Sequence, residues 1–142
     1  MAYKFRMDGF HSANLPRENV KSFKAHTETP RTNDGRGTDT AVTMTMNGPI
    51  RSTDAVAIED QTINLARWAT EYDDAKAYSA ATATAVASGQ VIRNDVYPYA
   101  FVVCYSEKFD ISAGVGTYNI VLRQKKDLLE AIVNTGGYIA TP

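Results

Sequence analysis

Side chains alternate apolar and polar with a period of two in several separate stretches of this chain, and that period constrains its fold more than any other feature. In "AVTMTMNG", Val42, Met44 and Met46 fall on one side, with Thr43 and Thr45 on the other. A period of two sends successive side chains to opposite faces of a strand, so one face is buried and the other wet. "YKFRM" repeats the pattern, with Tyr3, Phe5 and Met7 against Lys4 and Arg6. "TYNIVLR" repeats it again, with Tyr118, Ile120 and Leu122 against Asn119, Val121 and Arg123. "NVKSFKAHT" carries a weaker version. "SAATATAVASG" is two-sided: alanine favours a helix, while the Ala/Thr alternation favours a strand, and we read it as a strand. Pro16 and its turn-forming neighbours are expected to end the first strand, and Gly48 with Pro49 to stop "AVTMTM".

One helix stands out, near "TDAVAIEDQTINLARWATEY". Leu65, Trp68, Ala69 and Tyr72 share one face by their i, i+3, i+4, i+7 spacing, and Asp60 or Thr62 is placed to cap the start. Leu65 and Trp68 are the expected anchors of this helix in the core. The segment "YPYAFVVCYSEKFD", apolar on both faces, and "GVGTYNIVLRQKK" read as a long hairpin joined by the loop Lys108 to Val115. "TETPRTNDGRGTD", Thr27 to Asp39, has no large apolar side chain and reads as an exposed loop of functional length. The tail 127–142 holds either a short helix from Asp127 to Asn134, closed by Gly136, or a last strand.

The 142 residues are most simply one domain, residues 1–142. A formal charge of -1 gives no electrostatic case for nucleic acid or an anionic membrane as main partner. The single cysteine, Cys104, excludes an intrachain disulfide and a cysteine-rich metal site, and its mid-strand setting suggests a buried structural thiol. "MAYKFRMDGF" lacks the apolar core of a secretory signal, and no run approaches the ~18–20 apolar residues that span a bilayer. The expectation is a soluble protein made in the cytoplasm, leaving it, if at all, without a removable signal.

No constellation of catalytic residues emerges. His11 and His26 sit in no metal-binding spacing and read as surface or loop histidines. Glu71, Asp73 and Asp74 in "EYDD" read as a solvated helix end, although an acid/base role for Glu71 or Asp74 is a third, weaker possibility. "TNDGRGTD" lacks the spaced acids of a calcium loop, "AGVGT" is too short to cradle a phosphate, and Arg123, Lys125 and Lys126 read as a solvated face. The expectations are no enzyme, no cofactor and no metal.

The segment from Tyr97 to Asp110, with the strand after it, resembles the C-terminal half of tube proteins of contractile injection systems, above all the Hcp or TssD family of type VI secretion. Divergent members of that family carry an aromatic–x–x–Ala–aromatic–x–Val–x–Tyr-Ser-Glu–x–Phe corner. Tyr97, Ala100, Phe101, Val103, Tyr105, Ser106, Glu107 and Phe109 fill it here. The order of strand pair, long polar loop, alternating strand, helix and corner is similar too. The extra N-terminal residues and the long tail after Lys126 depart from the pattern, which keeps a phage tail tube or an extracellular injection particle open beside a secretion system.

The resemblance implies a mainly β fold, a small antiparallel β-barrel with one helix packed on it. It implies hexameric rings stacked into a tube, with sheath, baseplate or spike, and cargo proteins as partners. No nucleic acid is expected, save as phage tail cargo, and no membrane anchor. The subunit would be cytoplasmic before assembly, then part of a particle, a secreted tube or a virion tail. Arg31, Asp34, Arg36 and Asp39 of the polar loop are candidates for pairing with an adjacent ring. The faces bearing Thr43, Thr45, Thr82 and Thr84 would line the channel or the outer wall. A different class stays open: a monomeric β-barrel binding a ligand or partner among Trp68, Tyr97 and Tyr99.

Overall fold

The computed structural model describes residues 1–29, 40–50, 61–110 and 116–139. Nine strands form one antiparallel sheet: β1 (Ala2–Gly9), β2 (Ala13–Leu15), β3 (Ser22–Glu28), β4 (Ala41–Ile50), β5 (Ser79–Ala87), β6 (Gln90–Phe109), β7 (Gly116–Gln124), β8 (Val133–Thr135) and β9 (Tyr138–Ile139). Their order is β2-β1-β5-β6-β7-β4-β3, with β8 and β9 added to β6. The sheet curls until its two sides meet. Tyr3 of β1 and Phe23 of β3 pack edge to face with ring centroids 5.2 Å apart. This is the small antiparallel β-barrel expected from the sequence.

Alternation decides which face points inward. Phe5 and Met7 of β1, Met44 and Met46 of β4, Ala81 and Ala83 of β5, and Tyr118, Ile120 and Leu122 of β7 form one buried core. Their neighbours Thr43, Thr45, Thr82 and Thr84 are half-buried on the outward face, where Thr84 Oγ1 donates to Asn94 Oδ1 at 2.7 Å. The Ala/Thr stretch is a strand because small alanines fit the interior while threonine tolerates the pleated outer surface.

Strand β6 is too long for one straight partner. From Gln90 to Ala100 it pairs with β5, and from Ala100 to Phe109 it pairs with β7. Its register against β5 slips between the pairs Ser79↔Ala100 and Ala81↔Tyr97, a stretch that contains Pro98. A proline is tolerated at such an irregularity because no ladder donor is needed there. A second bulge lies between Val102 and Cys104. One extra residue swaps the faces, so Val102 and Tyr105 both pack on the core while Cys104 is exposed. The buried thiol expected for Cys104 is therefore corrected. Strict alternation from Val103 cannot anticipate a bulge.

Other boundaries also shift. The stretch after the first strand contains β2 before Pro16, and β4 runs through Gly48 and Pro49 to Ile50. Gly48 keeps the strand going because Asn19 O of the 3-10 turn Arg17–Asn19 crosses directly over it. Thr27 and Glu28, expected in the loop, belong to β3, and the rest of the expected loop from residue 30 lies outside the described residues. Helix α1 (Thr62–Ala69) buries Leu65 and Trp68 at 0% and 2% exposure. Glu71 N bonds to Trp68 O, which tightens the last turn, so Tyr72 leaves the helical face and is 95% exposed. Thr62 lies inside α1 rather than capping it, and Asp60 falls outside the described residues. A short second helix, α2 (Asp74–Ala77), is capped by Asp73, which accepts from Ala75 N at 3.0 Å. The indole Nε1 of Trp68 donates to Ala77 O at 2.7 Å and ties the two helices together.

The tail follows the strand alternative rather than a helix from Asp127 to Asn134, since Val133 and Asn134 lie in β8. A 3-10 turn over Lys126–Ala131 precedes β8 and β9, which pair with Asn94–Val96 and Gln90–Val91 of β6. Gln124, 1% exposed, holds the junction. Its Oε1 accepts from Tyr99 N at 3.0 Å and its Nε2 donates to Leu128 O at 2.8 Å. Ser88 and Gly89 close the β5–β6 hairpin with positive φ at both positions, 51° and 74°, as a two-residue turn of matching twist requires.

Asp95 is 5% exposed on the inward face. Burial pushes its carboxyl above the usual range, and the Arg93 charge offsets only part of this. Burial, helped by the Asp95 charge, pushes the Tyr97 phenol up to about 12.

The packing at Gly48 and Asp95 makes two predictions. A Cβ at Gly48 would lie 2.0 Å from Asn19 O, so Gly48→Ala should destabilise the fold by about 1–3 kcal/mol in urea unfolding. A carboxyl whose folded pKa is raised costs stability when ionised, and the cost is relieved as pH falls through that pKa. Asp95→Asn should therefore raise the urea midpoint at pH 7 and leave it unchanged near pH 3, where the native carboxyl is protonated.

Candidate assembly interface

Two strand edges have no neighbouring strand among the described residues. Strand β5 accompanies β6 only as far as Ala100, so the edge of Phe101–Phe109 opposite β7 has no strand beside it among the described residues. Strand β3 pairs with β4 alone, which leaves the other edge of Ser22–Glu28 without a ladder partner among them. Unpaired N–H and C=O groups in a row are a template for pairing with another chain.

The side chains on these edges divide the corner motif in two. Tyr97 and Ala100 are buried in the core, and Phe101 is half-buried, stacking edge to face on Tyr78 at 5.9 Å. Beyond the bulge the motif turns to the surface. Val103 is 45% and Phe109 68% exposed, and Tyr105 donates to Glu107 Oε1 at 2.6 Å. Ser106 and Glu107 are exposed. Phe109 lies across Gly116, where a Cβ would meet its ring at 2.5 Å, which holds the hairpin end flat. The segment is therefore core at its start and exposed edge at its end.

Other candidate residues are placed differently. Arg31, Asp34, Arg36 and Asp39 lie outside the described residues. At the base of their loop, Thr29 Oγ1 and Thr40 Oγ1 are 2.8 Å apart. Trp68, Tyr97 and Tyr99 do not converge on a pocket. The indole is spent on Ala77 O, Tyr97 faces the barrel interior, and Tyr99 is 46% exposed. The three aromatics expected to share a site are kept apart, because the register slip of β6 between Tyr97 and Ala100 turns Tyr99 away from the face of Tyr97.

His11 lies in the turn between β1 and β2, as a surface or loop histidine would, and its imidazole is engaged there. Its Nε2 lies 2.7 Å from Glu71 Oε2, both side chains are largely covered, and Phe10 packs edge to face on its ring. This contact holds the Glu71 carboxyl below the usual range, with Asp73 N and the Lys76 charge adding to the effect. It joins the β1–β2 turn to the segment between the helices, 60 residues apart in sequence. Asp74 is exposed, and no group of three or more metal-ligating acids, histidines or cysteines occurs among the described residues. None of the described helices is long and apolar enough to cross a membrane.

Two cavities lie at opposite ends of the β3–β4–β7 strands. One, of about 730 Å³, sits at the start of β3 and includes Arg17, Glu18, Lys21, Gly48, Lys108 and Tyr118. The other, of about 540 Å³, sits at the end of β3 and includes Thr27, Arg93, Asp95, Tyr97, Glu130 and Asn134. Strand β4 reaches both, through Gly48 in the first and Val42 in the second. Six residues of strand separate them by roughly 20 Å.

No family model and no curated protein matches the chain. Solved structures do. Hcp1 from Salmonella typhimurium superposes with a TM-score of 0.55 at 11% identity, covering 98% of this chain and 96% of that one. A chain of the anti-feeding prophage baseplate, in a 6-fold symmetrised structure, superposes with a TM-score of 0.55 at 7% identity, covering 95% and 93%. Identity this low speaks for backbone architecture alone, but the match runs nearly end to end in both directions. The chain has the Hcp-like tube-protein fold of contractile injection systems.

Proposed function

We propose that this protein is a structural subunit of the inner tube of a contractile injection system, in which six copies form a ring and rings stack into a conduit for cargo. The observation that carries the reading is the β6 segment Phe101–Phe109, which runs past β5 with no strand beside that edge among the described residues, on a fold that matches Hcp1 over nearly its whole length. A barrel that leaves such an edge open gains hydrogen bonds by lying beside the edge of another copy, and β3 offers one. Such a contact is heterologous, so it closes into a ring if the rotation is right. A stable ring contact buries more than about 1,000 Å².

On this reading the role is mechanical rather than catalytic, and the whole chain acts as one tube-forming domain. Sheath, baseplate or spike, and cargo proteins are its partners, and its destination is an injection particle, a secreted tube or a virion tail. Sheath contraction drives the tube, and the subunit supplies stiffness. Arg31, Asp34, Arg36 and Asp39 supply charges toward the adjacent ring. Each exposed pair contributes only ~0.2–1 kcal/mol, but repetition around a ring multiplies the effect.

Size-exclusion chromatography with light scattering, followed by negative-stain microscopy, tests the reading. Purified protein should run as six-subunit rings or long polymers, whereas a single ~16 kDa species at high concentration would remove the assembly reading. Val103→Lys with Phe109→Lys places charge on exposed edge positions and should leave the circular dichroism spectrum unchanged while abolishing rings. Deleting Thr32 to Gly37 should keep rings and shorten tubes, and full-length tubes from this variant would rule out the loop's stacking role.

A further inference from the structure

The cavity at the end of β3 holds an unresolved electrostatic problem. Asp95 is 95% buried by its 5% exposure and points into this space. Among the described residues its carboxylate has no hydrogen-bond donor within reach and no ion pair within 4.0 Å; Arg93 acts on it only through space. A second acid, Glu130, lines the same cavity. Two acids against one arginine leave the cavity net negative. A carboxylate held in a recess away from bulk water without a partner is costly, and native structures rarely keep one without a use.

The opposite end of the same strands has the reverse balance. Arg17, Lys21 and Lys108 line the larger cavity with Glu18 as its acid. Arg17 and Glu18 are already paired at 3.5 Å. Lys21 and Lys108 are exposed and have no ion-pair partner among the described residues. One end of the barrel therefore offers ammonium groups on long flexible stems, and the other offers a half-hidden carboxylate. Roughly 20 Å of strand separates them within one copy, so they cannot meet in the same molecule.

We propose that the Asp95 cavity is a receptor site for a lysine ammonium group presented by a second copy, supplied by Lys21 or Lys108 from that copy's basic end. The proposal rests on the tube-subunit reading and deepens it by naming a head-to-tail contact. Joining unlike ends leaves each outer end free to join again, so the contact propagates copy after copy. The ammonium gives Asp95 the missing donor, and Asn134 and the Tyr97 hydroxyl line the cavity within which it would sit. Charge-assisted bonds of this kind fix register as well as strength.

The test is a double-mutant cycle on full-length protein, read as the concentration at which half the material is assembled by light scattering. Asp95→Asn, Lys21→Glu and Lys108→Glu are measured singly, and each lysine change is combined with Asp95→Asn. Asp95→Asn should raise that concentration at least about tenfold without lowering the melting temperature. One of the two lysine variants should do the same. Its combination with Asp95→Asn should be no worse than the single changes, since partners in one contact are not additive. Wild-type assembly should also weaken as salt rises. If the wild type assembles and Asp95→Asn assembles equally well, the cavity contact is overturned while the tube reading stands. Strictly additive effects for both lysines would also overturn it. A wild type that stays solitary would overturn the tube reading, and this contact with it.

Discussion

The barrel depends on β6 changing partners near Ala100. A single strand that served β5 along its whole length would make a flat ribbon, and one that served only β7 would leave β5 and β1 with no route to the rest. Twenty residues of strand, with three register irregularities along it, serve both sides. Bulges increase twist and bend a strand. That bend lets the sheet curl far enough for Tyr3 to meet Phe23. Gln124 secures the crossing, because its amide bonds β6 on one side and the tail on the other, and Lys125 N adds a bond to Tyr99 O. A buried amide satisfied at both ends specifies one arrangement, where an apolar side chain of similar size would tolerate several.

The same change of partners creates the exposed edge. Since β5 reaches β6 only as far as the pair Ser79↔Ala100, the remaining nine residues of β6 have a neighbouring strand on one side alone among the described residues. The features that close the core and those that leave backbone open for another molecule are thus consequences of one bend. The corner motif spans it, so its residues have two duties. Tyr97 and Ala100 fill space inside, whereas Val103 and Phe109 present apolar surface outside. A monomer gains nothing from exposed large apolar side chains on an unpaired edge, and that combination is a known liability.

Much of this was legible in the sequence wherever one face of a strand is buried. Val42, Met44 and Met46, or Tyr118, Ile120 and Leu122, announce their faces by period alone, and Leu65 with Trp68 announces the helix. Legibility fails where position depends on contacts distant in the chain. Cys104 was read as buried because its neighbours are apolar, but one extra residue at the bulge reversed its face. Gly48 looked like a strand stop, and its role became clear only with Asn19 lying across it. His11 and Glu71 are separated by 60 residues and belong to no motif, so their contact had no local signature. Asp95 has no local signature for the same reason. An aspartate next to Val96 reads as an ordinary outward residue until its strand is placed facing Ala83 inside the barrel.

The polar groups retained inside divide by whether they are satisfied. Ser79 donates to His11 O at 3.4 Å and Gln124 is bonded at both ends. These explain themselves as parts of the fold. Asp95 does not, because its ionised form raises the energy of the isolated barrel and an asparagine would fit the same space. A residue that costs stability in the single molecule is retained for an interaction outside it. In a protein whose edge is also left unpaired, the simplest source of that interaction is another copy. On the proposed reading, the β6 edge without a strand beside it and the Asp95 carboxylate, neither completed among the described residues, are two instances of one incompleteness, the first in hydrogen bonds and the second in charge.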